Sequence, residues 1–139
     1  MPGQLTIGDG VKDGAGLAVS PQRYIPADYS EAFLTIATDE MRGLADDFVE
    51  MAKDFLNRKH INTDIIEVTG ITDVEDDTDF VMIRIRAAGA TGEEAWQYYQ
   101  LFGPAVSDWV HSLSVQRREL FTKKMAFQIV PSRHATKHL

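Results

Sequence analysis

Apolar residues recur at steps of three and four positions along the segment between residues 28 and 60. The recurring residues are Phe33, Ala37, Met41, Leu44, Phe48, Met51 and Phe55. This spacing places them on one side of an α-helix, and Asp28 with Glu31 three positions later forms a capping-box pattern at its start. Arg58 and Lys59 suit the last turn, where positive charge is favourable. The pattern predicts one long helix over about 29–59.

The period then changes to two, which is typical of β-strands. Ile66 and Val68 alternate with Ile65 and Glu67 on the near side of an acidic run. On its far side Val81, Ile83 and Ile85 alternate with Met82, Arg84 and Arg86. We therefore expect an antiparallel hairpin in which Val81, Ile83 and Ile85 face the core and the two arginines face away.

Two helices are predicted after the hairpin. Thr91 with Glu94 forms a second capping box. Gly103-Pro104 is expected to break the helical segment, because proline cannot donate the helical hydrogen bond but fits as the first residue of a new helix. The second of the two helices is then expected over about 104–125. Phe127, Ile129 and Val130 could make a final short strand.

Together these elements predict an α+β fold of two layers. It has a long N-terminal helix, an antiparallel hairpin with a possible third strand from an end of the chain, and two C-terminal helices broken at Gly103-Pro104. Four of the ten glycines lie within residues 8–16, so residues 1–27 are expected to form an arm that is flexible or ordered by a partner. Residues 28–131 then form the domain, and 132–139 a loose basic tail.

Composition narrows the function classes. The chain has 139 residues and no cysteine, which excludes disulfides, thiolate nucleophiles and cysteine zinc sites. It begins without a secretory signal pattern and has no apolar run long enough to span a bilayer, so we expect a cytoplasmic protein with no membrane partner. The net charge of −7 disfavours nucleic acid as a partner.

The charge is unevenly distributed. Residues 1–83 carry 17 acidic and 6 basic residues, whereas residues 84–139 carry 4 and 8. The basic cluster Arg117, Arg118, Lys123 and Lys124 is the most suggestive surface feature. It could bind an anion or the acidic part of a protein partner, including another copy of this chain, or it could be an ordinary solvated helix end.

Two other groups of residues are candidate sites. The acidic turn Asp73, Glu75, Asp76, Asp77 and Asp79 could gather a hard cation through oxygen ligands, but an EF-hand loop starting at Asp73 would need glycine where Thr78 stands. A solvated hairpin tip is the other reading. The aromatic residues Trp96, Tyr98, Tyr99 and Phe102 could line a pocket or an interface.

No sequence motif predicts a catalytic residue, a metal site or a cofactor. No serine lies in a Gly-x-Ser-x-Gly elbow, and paired carboxylates need a spatial proximity that sequence does not reveal. We therefore expect a non-catalytic interaction or assembly subunit, a homo-oligomer or a partner of another protein, that uses the apolar helix stripe and the charge asymmetry. The alternative is a small enzyme or ligand-binding domain with a pocket between the hairpin and the aromatic helix 96–102.

Overall fold

A computed structural model describes residues 23–132 of the chain, which form a mixed α+β fold. The elements in chain order are β1 (Ala27–Tyr29), α1 (Glu31–Ile36), α2 (Asp39–Arg58), β2 (Thr63–Asp73), β3 (Thr78–Ala87), α3 (Gly92–His111), α4 (Val115–Lys124) and β4 (Met125–Pro131). The predicted arm and tail lie outside the described residues except for residues 23–27 and 132. Among these, Ile25 belongs to the buried core, and Ser132 at the other end is also buried.

The strands form one sheet in the order β1-β2-β3-β4. β2 and β3 form the predicted antiparallel hairpin, whereas β1 pairs parallel with β2 and β4 pairs parallel with β3. A parallel neighbour requires a crossover connection, and two helices provide it on each side. The topology is therefore a strand–helix–helix–strand unit repeated about the central hairpin.

The predicted long helix is interrupted near its start. Asp28 lies in β1 and does not cap a helix, so that part of the prediction is wrong. Ser30 caps α1 by accepting a hydrogen bond from the backbone N–H of Phe33, and Thr38 caps α2 in the same way with Met41. These two hydroxyl residues start new helices because their side chains replace the missing backbone acceptors. The apolar spacing continues across the break, which is why it suggested one element.

The predicted break at Gly103-Pro104 is also wrong, because α3 runs through Pro104 to His111. The proline deprives the carbonyl of Gln100 of its helical donor. Gln100 and Pro104 are both exposed, so water can reach that carbonyl and the helix continues. The break comes instead at Ser112–Ser114, where Ser114 caps α4. The predicted capping box of Thr91 and Glu94 is present at the start of α3.

The described helices cover one face of the sheet. On that face the strand residues Ile66, Val68, Val81, Ile83, Ile85 and Ala87 are fully buried. At Gly70, on the same face, α1 approaches so closely that an added Cβ would lie 2.7 Å from the carbonyl oxygen of Ala32. Phe127 of β4 contacts Phe48 of α2 and Phe102 of α3. The core therefore lies between one helical layer and one face of the sheet.

The apolar stripe of the predicted long helix belongs to this core. Phe33, Met41, Leu44, Phe48 and Phe55 are buried, and Ala37 and Met51 pack against the buried residues. Phe48 is the centre of an aromatic cluster, with ring centroids 5.5–5.9 Å from those of Phe102, Trp109, Phe121 and Phe127. The stripe is occupied within the chain and does not offer a surface for pairing subunits.

Candidate interaction surface

The second face of the sheet, which we call the open face, carries apolar side chains that the helices do not cover. Side chains alternate between the two faces of a strand, so the residues between the buried ones point to the open face. Its apolar members are Ile65, Ile71, Phe80, Met82, Ala126 and Val130. All six are partly exposed, and none belongs to the hydrophobic core of residues 23–132 or packs against it.

The strand register arranges the open face in rows that cross the sheet. Nearest the hairpin tip Asp73 pairs with Thr78. The next row pairs Ile71 with Phe80, and the one after it contains Thr69, Met82 and Ala126. At the opposite end Ile65, Arg86 and Val130 share a row. Apolar side chains therefore lie above and below the middle of the face.

The middle of the open face is a charged row, formed by Asp28, Glu67, Arg84 and Gln128 on β1 to β4. Nε of Arg84 donates a hydrogen bond to Oε1 of Gln128 at 3.0 Å. Nε of Arg86, one row away, donates to Oε1 of Glu67 at 3.1 Å. These contacts hold the long side chains in defined positions, which reduces the conformational entropy that a partner would have to remove.

The ion pair between Arg86 and Glu67 is more enclosed than the other described ion pairs. Its side chains are 15% and 24% exposed, whereas those of Arg58 and Asp54 are 58% and 57% exposed. Exposed pairs contribute little because water and salt screen them. The open face is therefore a place where charge pairing has more effect than on the outer surface of the helices.

The two arginines of the predicted basic cluster have contacts within the fold. Nη2 of Arg117 contacts Oδ2 of Asp47 at 2.6 Å, which ties α4 to α2. Nη2 of Arg118 donates to the carbonyl oxygen of Leu113 at 3.2 Å, next to the end of α3. Lys123 is exposed and Lys124 is partly exposed in the last turn of α4. The two arginines thus have roles within the fold.

The acidic turn is arranged as a hairpin tip. Oδ1 of Asp73 accepts hydrogen bonds from the backbone N–H groups of Glu75 and Asp76, at 3.0 and 3.4 Å. Oδ1 of Asp79 accepts one from the hydroxyl of Thr72 at 2.7 Å. Asp77 adopts the left-handed conformation that aspartate tolerates in turns, with φ of 54°. Between residues 23 and 132, no three or more metal-ligating side chains are grouped to hold an ion.

The four aromatic residues of α3 do not form one surface. Phe102 is fully buried, and its ring lies between those of Phe55 at 4.9 Å and Phe127 at 5.5 Å. Tyr98 and Tyr99 are partly exposed, whereas Trp96 is 56% exposed and stacks on Tyr99 at 5.6 Å. Rings therefore fill the space between α3 and the sheet, where the ligand-binding alternative places its pocket.

A separate depression of about 290 Å³ lies between the segment before β1 and α2. Its lining residues are Arg23, Tyr24, Ile25, Glu50, Lys53, Asp54 and Asn57. Lys53 and Glu50 lie 3.4 Å apart within it, and Oδ1 of Asn57 accepts a hydrogen bond from the backbone N–H of Arg23. The contact of Arg23 joins the segment before β1 to α2. Neither contact resembles a nucleophile activated by a base.

Sequence reasoning missed the open face, although a signal for it exists. The outward positions of a solvated strand are usually polar, which gives a clear alternation with the buried positions. Here Ile71, Phe80 and Met82 stand at outward positions, so both faces of the hairpin carry apolar residues. When an antiparallel strand has apolar residues at both its inward and its outward positions, its outward face is indicated as a second contact surface.

Within residues 23–132 no helix has the length and apolar character required to cross a bilayer. Comparisons with protein-family models, with curated proteins and with solved structures give no match to this chain.

Proposed function

We propose that this chain is a non-catalytic assembly subunit that associates with a second copy of itself through the open face of its sheet. The observation that supports this most directly is the set of six apolar side chains that point away from the core. Grouped apolar side chains that lie outside the core are characteristic of surfaces that meet another protein, and here the described residues leave all six partly exposed. No comparable grouping supports a catalytic centre among the described residues.

The size of the open face sets the expected strength of the association. Four strands about 4.8 Å apart and about seven residues long, at roughly 3.3 Å per residue, give a face of about 450 Å². Two copies packed face to face would bury roughly 900 Å² in total, somewhat less than the ~1,200 Å² at which stable interfaces begin. We therefore expect a reversible dimer whose population depends on concentration.

The choice of a second copy as the occupant rests on charge. The chain carries a net charge of −7, which makes two copies repel each other at most orientations. Charged side chains of both signs lie on the open face between the Ile65 row and the Ile71 row. The two carboxylates, Asp28 and Glu67, balance the two guanidinium groups of Arg84 and Arg86. This part of the open face is thus neutral and partly apolar, and two acidic molecules can approach each other on it.

Sedimentation equilibrium over a roughly hundredfold range of concentration tests this proposal, because the population of a reversible dimer increases with protein concentration. We expect the mass to rise from monomer to dimer. Phe80→Ser should shift the protein towards monomer, because it removes the largest apolar side chain of the open face. Leu101→Ser is the matched control, since Leu101 lies on α3, away from the sheet, and is 56% exposed.

Far-UV circular dichroism of both variants establishes that each is folded. Wild-type protein that remains a monomer throughout the range would overturn the proposal. Equal weakening of the dimer by Phe80→Ser and Leu101→Ser would also count against the open face as the contact surface.

A further inference from the structure

We infer that β4 also pairs edge to edge with β4 of a second copy, in antiparallel orientation and with Gln128 opposite itself. This contact is separate from the open face and goes beyond the proposed function. It arises at the outer side of β4, which has β3 as its only neighbour among the strands of residues 23–132. The unpaired backbone groups of an edge strand are a template on which another strand can form a ladder.

One hydrogen bond identifies which backbone groups of β4 point outward. In a parallel ladder a residue directs both its N–H and its C=O to the neighbouring strand, and the next residue directs both away. The N–H of Ser132 donates to the carbonyl oxygen of Ala87 at 3.0 Å, so the even-numbered residues of β4 point to β3. The odd-numbered residues therefore point away. Within residues 23–132 no backbone hydrogen bond outside the ladder reaches Phe127 or Ile129.

β4 lacks the features that usually keep an edge strand from pairing, namely small length, charge, a bulge or an internal proline. It has seven residues without a charged side chain, and its register with β3 contains no bulge. Its proline, Pro131, is the last residue. At the opposite edge β1 has three residues, follows Pro26 and contains Asp28. β4 is therefore the edge that can accept a further strand.

A second β4 fits this edge about a two-fold axis perpendicular to the sheet. With the axis at Gln128, every residue of β4 faces a residue of β4 in the second copy, whereas an axis at Phe127 or Ile129 leaves one end of each strand unpaired. Phe127 of each copy then faces Ile129 of the other, and their outward N–H and C=O groups bond in both directions. Each contact occurs twice, as an isologous interface requires.

The amide of Gln128 favours a second copy as the occupant of this edge. Its Oε1 accepts a hydrogen bond from Nε of Arg84, and its Nε2 makes none within residues 23–132. A carbonyl oxygen accepts two hydrogen bonds and an amide nitrogen donates two. Two Gln128 side chains at the axis can therefore each donate to the other, and no like charges meet along the paired strands.

The side chain of Phe127 also gains from the pairing. It faces the helical layer but is partly exposed, whereas Ile83, its partner on β3, is fully buried. The difference arises because Phe127 has a strand on one side only. Ile129 of the second copy would cover the other side, so the edge contact extends the core across the two-fold axis.

The edge contact and the open face are compatible. An axis perpendicular to the sheet leaves the open faces of both copies on the same side of one continuous sheet, with a combined area of roughly 900 Å². The edge contact alone is small, since it involves one strand of each copy. We therefore expect it to join dimers at concentrations above those at which the open face pairs.

Cysteine cross-linking tests the edge contact, because the chain has no cysteine of its own and a disulfide traps even a weak association. Residues opposite each other at a non-hydrogen-bonded position have Cα atoms about 4.5 Å apart, within disulfide range. Under mild oxidation Gln128→Cys should form a linked dimer at least about tenfold faster than Val74→Cys, because pairing raises the effective concentration of its thiols. Val74 is 89% exposed at the hairpin tip and reports random collision.

A mixture of two variants covers the case in which the loss of the Gln128 amide weakens the contact. Ala126→Cys in one copy faces Val130→Cys in the other. In either variant alone the two thiol-bearing residues lie four positions apart along the paired strands, about 13 Å. The mixture should therefore form linked heterodimers, whereas neither variant alone should cross-link faster than Val74→Cys.

Hydrogen exchange identifies the backbone groups that form the new ladder. Met125 donates its N–H to Phe121 and Pro131 has none, so the outward N–H groups are those of Phe127 and Ile129. These two amides should exchange at least about tenfold more slowly in oxidised Gln128→Cys than in the reduced protein. Unchanged exchange would overturn the inference, because the strands would then touch without a ladder.

The edge contact and the proposed function fail differently. Phe80→Ser alters the open face four residues along β3 from Arg84, the partner of Gln128, which is about 13 Å away. Cross-linking of Gln128→Cys should persist with Phe80→Ser, and its loss there would mean that the disulfide reports packing of the open faces. If no cysteine variant that circular dichroism shows to be folded cross-links faster than Val74→Cys, the edge contact is wrong, whether or not the open face forms dimers. If Gln128→Cys cross-links although the wild type never dimerises, the edge contact stands and the proposed function fails.

Discussion

The hydroxyl of Tyr29 on β1 lies close enough to the carboxylate of Asp46 on α2 for that carboxylate to raise the pKa of Tyr29. Burial raises the pKa of Tyr29 far above its ordinary value, and Asp46 and then Glu50 raise it further. The contact joins the edge of the sheet to the helical layer, where Tyr29 also packs on Phe33 with ring centroids 5.6 Å apart. The proton of Tyr29 is therefore linked to the stability of this edge.

This linkage predicts a loss of stability in alkaline solution. The folded protein holds the Tyr29 proton more tightly than the unfolded chain, whose tyrosine pKa is about 10. The stabilisation is thus intact below about pH 10 and is lost as the pH rises above it. Tyr29→Phe should cost about 1 kcal/mol at neutral pH, through the lost interaction of the hydroxyl with Asp46, and less above pH ~10.

Urea unfolding of the wild type and Tyr29→Phe at neutral and alkaline pH gives this difference. Tyr24→Phe is the control, because Tyr24 is 85% exposed. A gap between wild type and Tyr29→Phe that stays constant with pH would show that the tyrosine proton is not linked to folding.

Gly70 is expected to be intolerant of a side chain. A Cβ there would lie 2.7 Å from the carbonyl oxygen of Ala32 and 2.9 Å from its carbonyl carbon, and backbone atoms cannot rotate away. Gly70→Ala should lower the free energy of unfolding by about 1–3 kcal/mol, as overpacking does. Gly43→Ala, in α2 with open space around it, should raise it by about 0.5–1 kcal/mol through helix propensity. Denaturant unfolding measures both free energies of unfolding. Equal changes for the two variants would contradict the close packing of α1 against Gly70 of β2.

Phe48 should be the most costly aromatic residue to truncate. Its ring contacts those of Phe102, Trp109, Phe121 and Phe127, which belong to three different elements. Phe48→Ala should cost about 3–5 kcal/mol, because the cavity cannot collapse against so many fixed neighbours. Calorimetry can measure this, with Leu101→Ala as an exposed control of small effect. A cost below that of an ordinary surface change would mean that the cluster is not the centre of the core.

The continuity of α3 makes a prediction for Pro104. A proline inside a helix is less favourable than alanine by about 3 kcal/mol, so Pro104→Ala should stabilise the protein by about 1–3 kcal/mol. A helix that started at Pro104 would respond differently, because proline is favourable at a first helical position. A neutral or destabilising result in urea titration would therefore support the break predicted from the sequence.

The sequence predicted those features that depend on local periodicity. The alternation around Ile83 identified the hairpin and its buried side, and the Thr91–Glu94 capping box located the start of α3. Apolar spacing found the buried face of α2 but not the break before it, because the spacing from Phe33 to Ala37 to Met41 is helical on both sides of Thr38. Short hydroxyl caps such as Ser30 and Thr38 interrupt a helix without disturbing its apolar pattern.

The open face could not be derived from periodicity alone. The two crossover connections determine which strands are neighbours in the sheet. In addition, β1 contains only Ala27–Tyr29, which is too short to show an alternation of apolar and polar residues. The row that joins Asp28, Glu67, Arg84 and Gln128 collects residues separated by up to 100 positions in the chain. Such a row can be recognised only when the order of the strands in the sheet is known. A basic cluster on one helix can be recognised directly in the sequence.

The repeated strand–helix–helix–strand arrangement has a consequence for how the molecule can be divided. The hairpin tip is the sole covalent bridge between the two halves, and each half closes its own parallel strand pair. Cleavage after Glu75 would yield pieces of 75 and 64 residues that can reunite only by rebuilding the β2–β3 ladder. Their affinity for each other would measure, without any substitution, how strongly the centre of the sheet binds its two sides together.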